Sequence, residues 1–172
     1  TCAFAGCTAL SSITWGSSLK TIGSSAFSRC TSLTTLSIPD TVITISDSAF
    51  YSCSGITSLK IGNKVTSIGS NAFANCNSLQ VHDFSTSPLI SIANGAFGYA
   101  FAQSKDTGRI ELVFGGDLLT IGNNAFAYQG ASINNLTIGS LEKPSKIREL
   151  RKNVARMNTI LSERKNENGG EK

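Results

Sequence analysis

Residues 22–39 read IGSSAFSRCTSLTTLSIP, and variants of this phrase recur along most of the chain. The phenylalanine of its Ala-Phe pair returns after 23 residues three times, and then after 24 and 29. A period of this length is too long for a heptad and too short for a domain, and it is typical of a stacked solenoid. One repeat cannot bury its own apolar side chains, so we expect neighbouring coils to bury them for each other. The six phenylalanines are Phe4, Phe27, Phe50, Phe73, Phe97 and Phe126.

The copies align with one another and indicate which positions face inward. An isoleucine lies five residues before most of the phenylalanines, and a cysteine lies three residues after the first four of them. A strand-like segment follows, in which apolar residues such as Leu33, Leu36 and Ile38 alternate with Ser, Thr and Lys. This pattern predicts an α/β solenoid of six coils whose parallel sheet is about 30 Å long. Tight turns or short helical pieces are expected on the opposite face.

The repeat resembles the BspA-like leucine-rich repeat, whose unit reads approximately Ile-Gly-x-x-Ala-Phe-x-x-Cys-x-x-Leu-x-x-Leu-x-Ile-Pro. Residues 22–39 fit that unit almost letter for letter, and the resemblance covers residues 1–139. It implies a surface or secreted protein that binds other proteins or host surfaces. The short polar residues of the strand segments would form an adaptable surface without a deep pocket, so a protein partner is expected and a small-molecule substrate is not. The residues predicted to bind the partner are Thr35, Ser37, Ser58 and Lys60.

The cysteines and the single histidine give no support to an enzyme. Cysteines in one slot of successive coils point in parallel, which favours a buried column of reduced thiols (Cys7, Cys30, Cys53, Cys76) over disulfides. No Cys-x-x-Cys spacing indicates a metal, and no cofactor is expected. His82 stands where other copies have leucine, so we interpret it as a histidine at the edge of the core, although a dyad with Cys76 is the alternative. We therefore predict a protein that is not an enzyme.

The charge changes sharply near residue 140. Residues 1–140 carry six basic and six acidic residues, whereas residues 141–172 carry nine and five, which gives the tail all of the net charge of +4. From Ile147 the apolar residues recur at helical spacing, which predicts an amphipathic basic helix over residues 145–164. One interpretation is a cap on the open end of the solenoid. The other is a helix that binds phosphates with its basic face and a protein with its apolar face.

The tail also resembles a second family. Residues 143–157 read KPSKIRELRKNVARM, which is similar to the second helix of the large-subunit ribosomal protein numbered twenty-nine. The resemblance covers about residues 140–167 and lacks the first helix of that family. It implies a cytoplasmic, ribosomal role in translation as the alternative function, with ribosomal RNA as the partner. The implied RNA contacts are Arg148, Arg151, Lys152 and Arg156.

The sequence therefore predicts two segments, a solenoid over residues 1–139 and a basic helix with a disordered tail over residues 140–172. The last coil could replace the missing ribosomal helix, the tail could fold only on binding, or two unrelated coding segments could have been joined. The chain starts within a repeat and without Met, so we expect an N-terminally truncated fragment. No apolar run reaches membrane-spanning length. An insertion at about residues 101–108 is expected to form a protruding loop.

Overall fold

Parallel strands stacked coil upon coil form the framework of the protein. The structure is a computed structural model that describes residues 1–80, 83–84, 88–101, 110–115, 118, 120–127 and 133–138. Its strands are β1 (Thr21–Ile22), β2 (Thr35–Ser37), β3 (Thr44–Ile45), β4 (Ser58–Lys60), β5 (Ser67–Ile68), β6 (Asp83–Phe84), β7 (Ser91–Ile92), β8 (Ile110–Phe114), β9 (Thr120–Ile121) and β10 (Ile133–Ile138). They form a five-stranded sheet in the order β1-β3-β5-β7-β9, a three-stranded sheet in the order β10-β8-β6, and the pair β2-β4.

The five-stranded sheet is built from the residue pairs that precede each turn. In each pair a Thr or Ser lies outward and an Ile is buried, as in Thr44 and Ile45. The register pairs Ile45 with Ile22 on one side and with Ile68 on the other, which produces a continuous isoleucine column inside the coils. The repeat pattern predicted strands only after the phenylalanine. Each coil from the second to the sixth therefore has two strands, and its path has three sides: the earlier strand, the Ala-Phe turn segment and the later strand.

A stack of phenylalanine rings occupies the centre of the solenoid. Consecutive rings from Phe4 to Phe126 lie with centroids 5.2–5.4 Å apart and planes within 12° of parallel. This is a favourable stacked geometry for aromatic pairs. Phe84 of β6 and Phe114 of β8 contact the stack from the strand side, which places the turn segments and these strands on opposite sides of the core. Burial is complete for Phe50, Phe73 and Phe97, as the repeat predicted.

The turn segments satisfy their backbone groups by alternating two kinds of hydrogen bond. The N–H groups of Ser25, Phe27 and Arg29 donate to carbonyls of the next coil at 2.8–3.0 Å. The N–H groups between them donate back to the third preceding carbonyl within the same coil, as from Ala26 to Gly23. The alternation requires residues with a left-handed backbone conformation directly before Ala-Phe and directly before the cysteine slot. Examples are Ser25 (φ 54°) and Arg29 (φ 62°).

The left-handed residues also explain why the turn segments are not helical. Residues with positive φ recur four positions apart in each of the first five coils, and such residues interrupt a right-handed helix. Tight turns or short helical pieces were expected opposite the strands. The described residues contain no helix, so the tight turns are confirmed. The helix predicted over residues 145–164 lies outside the described residues. So do the insertion from residue 102 onward and His82.

The cysteine column is buried from the second coil onward. All five cysteines are free, and Cys30, Cys53 and Cys76 are fully buried. Each of these three thiols donates to the phenylalanine carbonyl of the preceding coil at 3.0–3.2 Å. Cys7 was expected in the same column but is exposed in the first described coil. Burial raises the pKa of Cys53 to about 12 and also raises the pKa of Cys30 and Cys76.

The exposed and the buried cysteines are expected to differ in their rate of reaction with thiol reagents. In the native protein Cys2 and Cys7 should react rapidly with a thiol reagent, whereas the other three should react only after unfolding. The folded pKa of Cys53 lies above its ordinary value of 9.0, so the unfolded thiol ionises first as the pH rises. The free energy of unfolding should therefore fall between about pH 9 and pH 12. Mass spectrometry of the labelled native protein gives the number of cysteines that have reacted. Rapid labelling of Cys53 would contradict the buried column.

Candidate protein-binding face

The four residues predicted to bind a protein lie together on one exposed surface. Thr35 pairs with Ser58, and Ser37 pairs with Lys60, in the parallel ladder of β2 and β4. Between these rungs Leu36 and Leu59 are buried, and the alternation along both strands leaves all four polar residues exposed. We call Thr35, Ser37, Ser58 and Lys60 the β2–β4 face. The spacing of apolar residues in the sequence was sufficient to find it, because side chains alternate along a strand.

The backbone under the β2–β4 face is held firmly. The ladder continues past both ends of the strands, with the N–H of Ile38 donating to the carbonyl of Lys60 at 2.8 Å and that of Thr57 donating to Thr34 at 2.9 Å. The hydroxyl of Thr57 donates to the same Thr34 carbonyl at 3.2 Å. Since the backbone is fixed and three of the four side chains are short, little conformational entropy remains to be lost when a partner binds.

Trp15 adds an aromatic group at the edge of this face. It occupies the slot that holds Ile38 and Ile61 in the next two coils. Its indole Nε1 donates to the carbonyl of Ser37 at 2.7 Å, and its ring contacts Phe27 edge-on at 5.5 Å. The side chain is half-buried. The signal in the sequence is a tryptophan at a position that holds isoleucine in the next two coils. An indole is too large for that position, so its N–H must reach a hydrogen-bond partner at the surface.

The other predicted functional residues are not placed by the structure. Arg148, Arg151, Lys152 and Arg156 lie outside the described residues, and RNA binding by them stays a prediction. In the part of the chain that the structure describes, no group of three His, Cys, Asp or Glu side chains could hold a metal ion. Nor does any helix there have the length and hydropathy to cross a membrane.

Consecutive coils, parallel ladders and inward-facing leucines define a leucine-rich-repeat solenoid. Residues 1–100 match the model of the BspA type leucine rich repeat region in six copies. This match covers more than half of the chain, so the chain belongs to that family. A separate stretch, residues 134–164, matches the model of the ribosomal L29 protein. Both resemblances found in the sequence are thereby confirmed.

A solved structure has the same fold. It is the crystal structure of a leucine rich cell surface protein from Faecalibacterium prausnitzii A2-165, which is 23% identical and superposes with a TM-score of 0.59 over 76% of this chain. The chain spans about a third of the length of that protein, because the match covers 32% of it. No curated protein matches the chain.

Proposed function

We propose that the protein is a non-enzymatic scaffold at the cell surface that binds a protein partner through the β2–β4 face. The observation that carries the proposal is the set of four exposed polar side chains in register on a paired, hydrogen-bonded backbone, with Trp15 at its edge. Tryptophan is enriched among the residues that dominate binding energies at interfaces. Membership of the leucine-rich-repeat family and the fold of a cell surface protein support the same role.

Bulky charged substitutions on the β2–β4 face test this function. A panel of purified extracellular proteins is screened against the full chain by surface plasmon resonance, and each binder is measured again with Thr35→Arg and Ser58→Arg. We expect each substitution to weaken binding by about tenfold or more, equivalent to about 1.4 kcal/mol, because both positions are exposed and in register.

The matched control is Thr21→Arg, which changes an exposed strand threonine of the five-stranded sheet. It should leave both the affinity and the melting temperature unchanged. A binder that responds equally to all three substitutions, or to Thr21→Arg alone, would place the partner on another surface.

The C-terminal segment supports a second, separate proposal. The match of residues 134–164 to the ribosomal L29 protein favours binding of structured RNA by Arg148, Arg151, Lys152 and Arg156. Four basic residues within nine positions would give a slope of log affinity against log salt of about −2 to −4.

Filter binding of ribosomal RNA across a salt series measures that slope for the full chain. The triple substitution of Arg151, Lys152 and Arg156 by alanine should flatten it. Met157→Ala should leave it unchanged, since Met157 lies on the apolar stripe. Binding no better than that of a chain whose tail is scrambled at equal charge would refute RNA recognition.

A further inference from the structure

A groove crosses the turn segments, on the side of the core away from the β2–β4 face. It encloses about 430 Å³, within the range of about 300–1,000 Å³ that is usual for small-ligand sites. It extends over the third to the sixth coil, which at about 4.8 Å per coil is a length of roughly 14 Å. Its lining consists of amide, tyrosine and small residues, namely Tyr51, Asn71, Ala74, Asn75, Asn94, Gly95, Gly98, Tyr99, Asn123 and Asn124.

The groove exists because the side chain at one position of the repeat becomes smaller from the third coil to the fifth. The residue directly after the buried phenylalanine is Tyr51 in the third coil, Ala74 in the fourth and Gly98 in the fifth. The tyrosine ring therefore stands at one end, and the two small residues form the floor beside it. Tyr99, one position further along the fifth coil, is 44% exposed and supplies the second ring.

The asparagines need an explanation beyond backbone conformation. Asn71, Asn75 and Asn124 have positive φ, which asparagine adopts readily. However, the equivalent left-handed positions of the second and third coils are held by Ser25, Arg29, Ser48 and Ser52. The turn therefore does not require an amide, yet amides occur in the fourth, fifth and sixth of the four coils that line the groove. Asn94 is fixed in place, since its Oδ1 accepts from the N–H of Asn123 at 2.8 Å, which leaves its NH₂ group as the remaining donor.

The chemistry of this lining fits an uncharged, hydroxyl-rich ligand. None of the described residues that line the groove is Lys, Arg, Asp or Glu, so a charged ligand would lose hydration there without gaining a counter-charge from them. Each asparagine amide offers both a donor and an acceptor, which is the complement of neighbouring hydroxyl groups on a sugar ring. The faces of tyrosine rings pack against the C–H face of a sugar, while their hydroxyls stay polar.

A peptide is less suited to this groove than a sugar. An extended peptide gains affinity from unpaired backbone groups. Here those groups are already bonded to the next coil, from the N–H of Asn71 to the carbonyl of Asn94 at 3.0 Å and from Tyr99 to Ala127 at 2.9 Å. Recognition must therefore come from the side chains. We propose that this groove, formed by the aligned turns of the third to the sixth coil, binds a neutral oligosaccharide of about three sugar rings along its length of roughly 14 Å.

Titration of the full chain with defined trisaccharides tests the proposal. The probes are the linear trimers of glucose, mannose, xylose and N-acetylglucosamine, with trigalacturonate as the charged comparison, each followed by ¹⁵N chemical-shift mapping and calorimetry. At least one neutral trimer should bind with a Kd of about 1 mM or below, an affinity typical of a shallow polar site. The shifted amides should belong to the turn segments of the third to the sixth coil, and trigalacturonate should bind more weakly.

Two substitutions remove the site while keeping backbone conformations that the chain already uses. Tyr99→Ser places serine in a left-handed slot where Ser52 has φ 57°. Ala74→Tyr fills the floor with the ring that Tyr51 carries in the same slot. Each should weaken the best trimer by about tenfold or more. The matched control is Arg29→Ser, which changes the same slot as Tyr99 outside the groove and should leave the affinity within about twofold.

Three results would overturn the proposal. They are no binding of any neutral trimer at about 10 mM, equal binding of trigalacturonate, or an affinity unchanged by both Tyr99→Ser and Ala74→Tyr. None of these results bears on the β2–β4 face, because its residues lie on the other side of the core.

Discussion

Replacement of Phe50 by alanine is expected to lower the free energy of unfolding by about 3–5 kcal/mol. The side chain is fully buried, and its ring stacks on Phe27 at 5.4 Å and on Phe73 at 5.3 Å. The substitution therefore leaves a cavity at the centre of the stack and removes two aromatic contacts at once. Chemical denaturation of the wild-type and variant proteins, followed by circular dichroism, measures the difference.

Phe4→Ala is the matched control for this prediction. Phe4 occupies the same slot of the repeat but is 47% exposed, and it stacks on Phe27 from one side. Its replacement should cost about half as much or less, since less apolar surface returns to water. Equal losses for the two variants, or an unchanged melting temperature for Phe50→Ala, would contradict a core built on the ring stack.

Gly62→Ala is the second substitution with a large expected effect. Gly62 is buried just beyond β4, and a Cβ there would lie 2.6 Å from the carbonyl carbon of Pro39 and 2.9 Å from the backbone nitrogen of Asp40. These are backbone atoms of the preceding coil, which cannot rotate away. The two coils would have to separate locally, and we expect a loss of about 1–3 kcal/mol in the free energy of unfolding.

The repeat supplies a control for this change as well. Gly16 occupies the same slot in the first coil, and a Cβ there would meet no atom within 4 Å. Gly16→Ala should leave the free energy of unfolding unchanged or raise it by up to about 1 kcal/mol, because alanine restricts the unfolded chain. If Gly62→Ala and Gly16→Ala changed the free energy of unfolding equally, the coils would not approach each other closely at Pro39.

The sequence predicted the parts of the fold that depend on a long-range period. A residue such as Phe50 or Cys53 recurs in one slot of several coils, and a slot that is apolar in consecutive coils is expected to face the core. The β2–β4 face was found by the same reasoning, since Leu36 and Leu59 mark the inward positions between the polar ones. The repeat also predicted burial of Cys7, which is exposed, because an internal alignment assigns the same environment to every copy of a slot.

Features that arise between coils were harder to predict. A two-residue strand such as Thr44–Ile45 is too short to show alternation, so the five-stranded sheet was missed. Left-handed backbone at Arg29 and Tyr99 has no signature in residue type. The groove depends on Ala74 following Tyr51 in the same slot of adjacent coils, and this contrast becomes visible only when the coils are stacked. The hydrogen bond from Trp15 to Ser37 joins two coils, so the pattern within one repeat does not predict it.

The one-way hydrogen bonds of the turn segments give the solenoid an electrical polarity. The peptide group between Ala26 and Phe27 accepts from Phe4 on one side and donates to Ala49 on the other, so its dipole lies along the stack. The same arrangement repeats from coil to coil, as in the helix macrodipole, whereas sheets have only small net dipoles. Between the described coils, the carbonyls of the turn segments therefore point toward Phe4 and their N–H groups point toward Phe126. The negative pole of this dipole is directed toward the first described coil, and the positive pole is directed toward the sixth.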